Sequence, residues 1–372
     1  MSSSKRPVVV YGASGYSGRA VVEFLREYNV PFVAAGRNRA KLEDVMDHVP
    51  GISTADYEIA EVGHSVDELA ELFTGAKVVC NTVGPFVYYG STVAEASLKA
   101  GCNYIDTGGE APWVREAKER WGEAFAQRGL LIAPATAYMS AVAETAARIA
   151  IETAPGIDTL EILSMFRGNP TYGSTQTIFG QLQFDSFYLE QNEYKPWPPL
   201  TRLEVVVPGS IQTQLALPWG GFPHPVWFKD DPQIANVRAF GGILDRDITE
   251  GIAAGEREYE EKIKPLPKEE RTRVLSEIAA SVQSGTPPRE NRRWQRTIDV
   301  VVGRGSLESV QVVVHGAGAY LQTGLIQAFA AHHLVYAPPR RVGFASPGTA
   351  FGHRELLKAL ESYGFAKLEV SP

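Results

Sequence analysis

Three glycines, each three residues after the last, follow an apolar run in Val8-Val9-Val10-Tyr11-Gly12-Ala13-Ser14-Gly15-Tyr16-Ser17-Gly18. Glycine lets backbone approach a phosphate with no Cβ in the way, and the amides and positive end of a following helix favour an anion. In such a loop Gly12 supplies the tight turn, Gly15 the close approach and Gly18 the contact between helix and strand. Ser14, Tyr16 and Ser17 lie along the same loop. Because the loop follows an apolar strand and precedes an apolar-periodic helix, the chemistry it implies is capture of a dinucleotide pyrophosphate.

The second apolar run ends in Ala34-Ala35-Gly36-Arg37-Asn38-Arg39, where an NAD site would present an acid to the ribose 2′-hydroxyl. The first acid here is Glu43, and Arg37 and Arg39 stand where a 2′-phosphate would need charge-assisted hydrogen bonds. NADPH/NADP+ is therefore the expected cofactor. Two further turns, Asn81-Thr82-Val83-Gly84-Pro85 and Ile105-Asp106-Thr107, fall at carboxyl ends of strands. A doubly wound sheet holds its ligand at that edge, so the nicotinamide is expected near Thr82, Val83, Gly84, Pro85 and Asp106. For Asp106 and Glu110 a second role stays open, capping a helix that starts near Pro112.

The elements that must position these residues alternate regularly. Apolar runs at 7–11, 31–35, 56–62, 77–83, 103–107 and 130–134 are separated by helical stretches, one opened by the capping box Ser65-Val66-Asp67-Glu68. That order predicts a Rossmann-like, doubly wound parallel sheet over residues 1–150. After Pro155-Gly156 the pattern changes to longer strands separated by turns, such as TLEILSMF, TRLEVVV, IQTQLAL, RTIDVVVG and ESVQVVVH. Their spacing predicts an α+β substrate domain with a largely antiparallel sheet at 151–316. Charge-rich stretches at about 246–264 and 268–284 read as solvated outer helices. Residues 317–372 are expected to be C-terminal helices packing back on the first domain.

With these motifs in view, GASGYSG, AGRNRAKLE and NTVGPFVYYGSTVAEASLKAGCNYIDTGGE resemble the saccharopine dehydrogenase-like oxidoreductases, most closely their trans-acting enoyl reductase-type branch. The likeness covers about residues 7–140, and SPGTAFGHRELLKALESYGF is similar to the family's ending. The resemblance implies an NADP-dependent reductase with a Rossmann domain and an inserted substrate domain. Residues 168–184 and 205–228 carry no formal charge and hold Phe179, Phe184, Trp219, Phe222, Trp227 and Phe228. As pocket walls they suit a bulky apolar substrate; as packing surfaces they suit domain core or the face of a homodimer. The expected reaction is reduction of a polarised C=C bond, which needs a proton after hydride arrives. Tyr88, Tyr89, Tyr138 and Tyr172 are the candidate donors, with water as the alternative.

The chain of 372 residues has 44% hydrophobic and 21% charged residues, which excludes a disordered or fibrous chain. Its net charge of −7 offers no global attraction for nucleic acid. The two cysteines, Cys80 and Cys102, suit a reducing, cytoplasmic setting. The uncharged stretch 309–339 is interrupted by glutamines and histidines and reads as strand plus buried helix, so no membrane span is expected. No histidine or cysteine spacing matches a metal site, and no metal is expected. Two rivals remain: C=N reduction or amino-acid dehydrogenation, which pocket arginines in the substrate domain would favour, and an NADP(H)-binding sensor without turnover.

Overall fold

The computed structural model describes residues 6–219, 222–282 and 287–371. The chain divides into two compact units: Met1–Gly109, Trp113–Ala141 and Tyr320–Ser362 form unit 1, and Glu110–Pro112, Val142–Ala319 and Tyr363–Pro372 form unit 2.

Unit 1 is built on strands β1 (Val8–Tyr11), β2 (Phe32–Gly36), β3 (Tyr57–Glu61), β4 (Val78–Asn81), β5 (Asn103–Asp106) and β6 (Leu131–Ala133). With a two-residue strand at Gly343–Phe344 they pair in the order Gly343–Phe344, β6, β5, β4, β1, β2, β3, every pair parallel. All residues of β1, β2, β4, β5 and β6 are buried, as near-continuous apolar strands covered on both faces must be. The crossover helices include α1 (Tyr16–Glu27), α2 (Arg39–Asp47), α3 (Val66–Phe73) and α4 (Phe86–Ala100). Asn38 caps α2 by accepting from Lys41 N at 2.8 Å. Ser65 caps α3 as expected by accepting from Glu68 N at 3.3 Å, and its hydroxyl donates to the Glu68 carboxylate rather than leaving that carboxylate to the Ser65 amide.

Strand order runs outward from β1 to β3 and then reverses to β4 on the other side of β1, so the crevice above β1 and β4 is the switch point of the sheet. Register aligns the carboxyl ends: Tyr11 pairs with Ala35 and Asn81, and Asn81 with Asp106. The stretch expected as one helix from Pro112 is interrupted, with helical turns Ala111–Glu116 and Gly122–Gln127 joined by a π-helical turn at Ala117–Trp121.

Unit 2 holds a seven-stranded sheet in the order Ala366–Ser371, β14 (Ser309–Gly316), β13 (Thr297–Gly305), β7 (Ile157–Phe166), β12 (Asn236–Ile243), β8 (Phe187–Glu190) and β9 (Glu193–Pro196). Every pair is antiparallel except β7 with β12. Strands β10 (Leu203–Val206) and β11 (Thr213–Ala216) form a separate ribbon outside that sheet. The C-terminal strand Ala366–Ser371, which sequence reasoning read as part of a helical ending, pairs with β14. The uncharged segment 168–184 contains a helix, Tyr172–Gly180, and its Phe179 packs with Tyr259, Ile263, Leu275 and Ala279. Phe179 is therefore core, in a cluster shared with the two charge-rich helices rather than a pocket wall. Parts of two other expected stretches, Gly220 with Gly221 inside 205–228 and residues 283–284 at the end of 268–284, lie outside the described residues. No helix among the described residues is long and apolar enough to cross a membrane.

Candidate cofactor site

The glycine turn leaves β1 at its carboxyl end. Gly12 and Ala13 donate their amides to Ala35 O at 2.9 and 3.2 Å, which ties the turn to β2. Gly12 has φ +93°, and a Cβ there would stand 2.6 Å from Thr82 Oγ1 and 2.8 Å from Val83 Cγ2. Only glycine fits, because the β1 and β4 turns are in contact at this point. Thr82 completes the junction by donating its amide and hydroxyl to Tyr11 O at 2.8 and 3.0 Å. Gly18 is buried, and a Cβ there would come within 2.7 Å of Ala13 Cα, so it sets the approach of α1 to the loop.

Gly15 differs from both. It is exposed, has ordinary extended dihedrals (φ −77°, ψ 166°) as the N-cap of α1, and a Cβ there would meet only Gly12 O, at 3.2 Å. The cap has no side-chain oxygen and the first turn of α1 carries no acid. Ser14 and Ser17 make no hydrogen bond through their hydroxyls among the described residues. Tyr16 stacks edge-on against Tyr320, ring centroids 5.0 Å apart. An open N-cap, a helix terminus free of acid and two uncommitted hydroxyls fit a pyrophosphate.

The two arginines beyond β2 separate in role. Arg39 donates to Ile59 O at 3.0 Å and reaches Glu43 at 3.5 Å, so its guanidinium is engaged against β3. Arg37 is exposed and, among the described residues, makes no hydrogen bond or ion pair. It does act on two neighbours that sequence reasoning passed over. Tyr11 OH lies 2.9 Å from His64 Nδ1, and the rings stack with centroids 6.0 Å apart. Burial pushes the Tyr11 hydroxyl up to about 12 against the pull of Arg37, and burial together with Arg37 holds His64 below the usual histidine range. Both are neutral near pH 7, which leaves Arg37 as the charge at the end of β2. His64 Nε2 is buried without a partner, and the ring meets Tyr89 edge-on at 5.1 Å. The only sequence signal for this pair was a polar tip, Tyr11, on an otherwise aliphatic strand.

Past β4, Asn81 Oδ1 accepts from Val83 N at 3.0 Å, the Gly84–Pro85 bond is cis, and α4 starts at Phe86. Asp106, expected at the nicotinamide, is instead turned inward. It is fully buried, and its carboxylate accepts from Tyr104 OH (2.8 Å), Trp113 Nε1 (2.7 Å), Gly108 N (2.9 Å) and Ala135 N (2.7 Å). Burial pushes this carboxyl up and the four donors pull it back. No oxygen is left for a ligand, so Asp106 braces the turns after β5 and β6. Gln327, on the helix Ala319–Tyr336, adds to the brace by donating to Asp106 O at 2.8 Å and Thr136 O at 2.7 Å.

The candidate proton donors belong to different elements. Tyr88 is half-buried in the first turn of α4, its amide bonded to Pro85 O and its ring 6.3 Å from Tyr89. Tyr138 is 7% exposed in the loop after β6, with its amide on Thr323 Oγ1 at 3.2 Å. Tyr172 is 46% exposed and belongs to unit 2. Cys80 and Cys102 are buried free thiols, and burial raises both.

Comparison with known proteins agrees with the resemblance read from the motifs. Residues 8–132 match the saccharopine dehydrogenase NADP binding domain, and residues 141–371 match a family of unknown function (DUF5938). The chain is 33% identical over 149 residues to a lipid droplet localized protein of Caenorhabditis elegans, covering 38% of this chain and 35% of that protein. It is 31% identical over 163 residues to the human saccharopine dehydrogenase-like oxidoreductase, 39% of this chain and 37% of that protein. It is 33% identical over 145 residues to the trans-acting enoyl reductase of Mycobacterium ulcerans, 38% of this chain and 34% of that protein. The matched segments thus span little more than a third of these relatives. In fold, the chain is similar to apo saccharopine dehydrogenase (L-Glu forming) from Saccharomyces cerevisiae, with a TM-score of 0.61 at 12% identity, covering 99% of this chain and 100% of that one.

Proposed function

We propose that this chain, which belongs to the family of unknown function DUF5938 through residues 141–371 and carries a saccharopine dehydrogenase NADP-binding domain at residues 8–132, is an NADPH-dependent reductase. The observation that carries the proposal is the meeting of the β1 and β4 turns at the switch point, with an uncapped α1 beside them and a free Arg37 at the end of β2. Ser14, Ser17 and the first turn of α1 hold the pyrophosphate, and Arg37 holds the 2′-phosphate. Val83, Gly84 and Pro85 form the edge on which the reacting ring rests. When bound, NADPH supplies a hydride to an electron-poor double bond. Tyr88, Tyr138 and Tyr172 are the side chains to test as source of the proton, and free buried thiols fit a cytoplasmic setting.

For the bond reduced, the first reading is a polarised C=C in an apolar substrate, supported by the likeness to a trans-acting enoyl reductase. A specific observation favours a second reading, C=N reduction with a carboxylate-bearing substrate. A cavity within unit 2 is lined by Arg202, Arg246 and Arg257, and Leu215 of the uncharged segment 205–228 forms part of its wall. The charge that the uncharged segments lack is thus brought by residues outside them. The test is NADPH oxidation against enones and against keto-acid plus amine mixtures, with products identified by mass. Turnover of enones supports the first reading and turnover of the mixtures the second. NADPH binding with no turnover of either would overturn the reductase proposal in favour of a sensor.

A further inference from the structure

We infer that unit 2 carries a binding site for a small monocarboxylate, in the cavity between the β10–β11 ribbon and one face of the helix Arg246–Glu258. The cavity is open on one side and has a volume of about 380 Å³, at the small end of the range for ligand sites. On the helix, Arg246, Glu250, Ala253, Ala254 and Arg257 recur at helical spacing and so share a face. Arg202, Glu204 and Leu215 come from the ribbon side.

The three arginines are not equivalent. Arg246 grips both Glu204 oxygens, at 2.9 and 2.6 Å, and Glu250 at 2.7 Å, so it braces the helix to the ribbon and has little left to offer. Arg202 donates to Ala253 O at 2.8 Å, and its Nε is buried without a partner. Arg257 makes no hydrogen bond or ion pair among the described residues. Behind Arg202 stands Glu256, which burial pushes up to about 7, so it neutralises that arginine incompletely at neutral pH.

Three arginines against Glu204 and Glu250 leave a single net positive charge in the lining. A dianion would meet the two glutamates, and a neutral ligand would leave the net positive charge uncompensated; one carboxylate balances that charge and can accept from Arg257, which has no hydrogen-bond partner of its own among the described residues. Leu215 and Ala253 belong to a buried apolar cluster at the wall, which gives the ligand's carbon chain a place to lie. Ala253 and Ala254 are small enough to keep the space open. The site lies wholly in unit 2 and does not rest on the reductase reading.

The test is calorimetric titration of the full chain, free of cofactor, with hexanoate, hexanamide and inorganic phosphate. Hexanoate should bind saturably at one site, and hexanamide and phosphate should not. R257Q should weaken hexanoate by about tenfold or more, the worth of one hydrogen bond to a charged group, and R202Q by at least as much. Should R202Q fail to fold, A254L decides: Ala254 is exposed, so leucine there fills the cavity with every charge intact and the core untouched. A254L should abolish binding with an unchanged circular dichroism spectrum. Absence of saturable hexanoate binding, equal binding of hexanamide, preference for phosphate, or wild-type affinity in R257Q or A254L would each overturn the inference.

Discussion

Replacing Arg37 with alanine should separate the two nicotinamide cofactors. Among the described residues Arg37 has no hydrogen-bond or ion-pair partner to lose, so the substitution leaves the packing of β2 and α2 intact and removes what the guanidinium does for a ligand and its field at Tyr11 and His64. A hydrogen bond to a charged group is worth about 1.5–3 kcal/mol. Because Arg37 is exposed and screened, the lower part of that range applies, roughly 1.5–2 kcal/mol, or about 10–30-fold in Kd. NADPH should weaken by that factor and NADH should be unchanged. Arg39→Ala makes the contrast: its guanidinium is engaged with Ile59 O and Glu43, so its loss should loosen the α2–β3 contact and shift cofactor preference little. A second readout comes from His64, whose depressed value has Arg37 as its lesser cause; its titration, followed by NMR, should move upward in Arg37→Ala. Fluorescence titration with both cofactors gives the dissociation constants. Equal losses for NADPH and NADH, or a larger selective loss in Arg39→Ala, would refute the assignment of the 2′-phosphate to Arg37.

Gly15→Val should fold and lose NADPH binding, since its backbone is ordinary and the side chain projects where the pyrophosphate must lie; wild-type affinity in the folded variant would reduce the loop to a turn. Asp106→Asn should cost about 2–4 kcal/mol in urea unfolding, because an amide cannot accept from all four donors, and should leave the NADPH-to-NADH preference unchanged; unaltered stability with lost binding would return Asp106 to the cofactor. Glu256 binds a proton more tightly folded than unfolded, so it lowers stability as pH rises from its ordinary value of 4.5 through about 7. Glu256→Gln should therefore stabilise by about 1–3 kcal/mol at pH 8 and by nothing measurable at pH 4, and a gain that is the same at both pH values would contradict the burial argument.

The first unit was legible because its signals are local and agree with one another. Val8–Tyr11 is a short run of apolar residues ended by glycine, Ser65 and Glu68 mark a helix start, and every two successive strands from β1 to β6 are separated by helical structure. The second unit was legible where apolar and β-branched residues cluster, in the runs that hold β7, β10, β11, β13 and β14. Strand β12 escaped because Arg238 and Gly241-Gly242 break its alternation, and its parallel pairing with β7 is a long-range choice that spacing does not encode. Strand Ala366–Ser371 escaped because an edge strand with Lys367 and Glu369 looks like the end of a charged helix. At the site, the glycine turn after β1 could be read from type and spacing, whereas position at a strand end does not reveal which way a side chain turns, and Asp106 turns inward. The unit 2 cavity was hidden for a different reason: a helix read as solvated contributes arginines to a space whose other wall lies some forty residues earlier in the chain.

The central claim is hydride delivery from bound NADPH, and isotope transfer tests it most directly. The full chain is incubated with NADPH deuterated at the 4-position of the nicotinamide, once with each face labelled, and with the enone and keto-acid plus amine panels; products are read by mass spectrometry. The account predicts one deuterium in the product from one of the two labelled faces, with the transfer lost in Gly15→Val. Tight NADPH binding with no deuterium leaving either face for any acceptor would contradict it and identify the chain as a binder that performs no reduction.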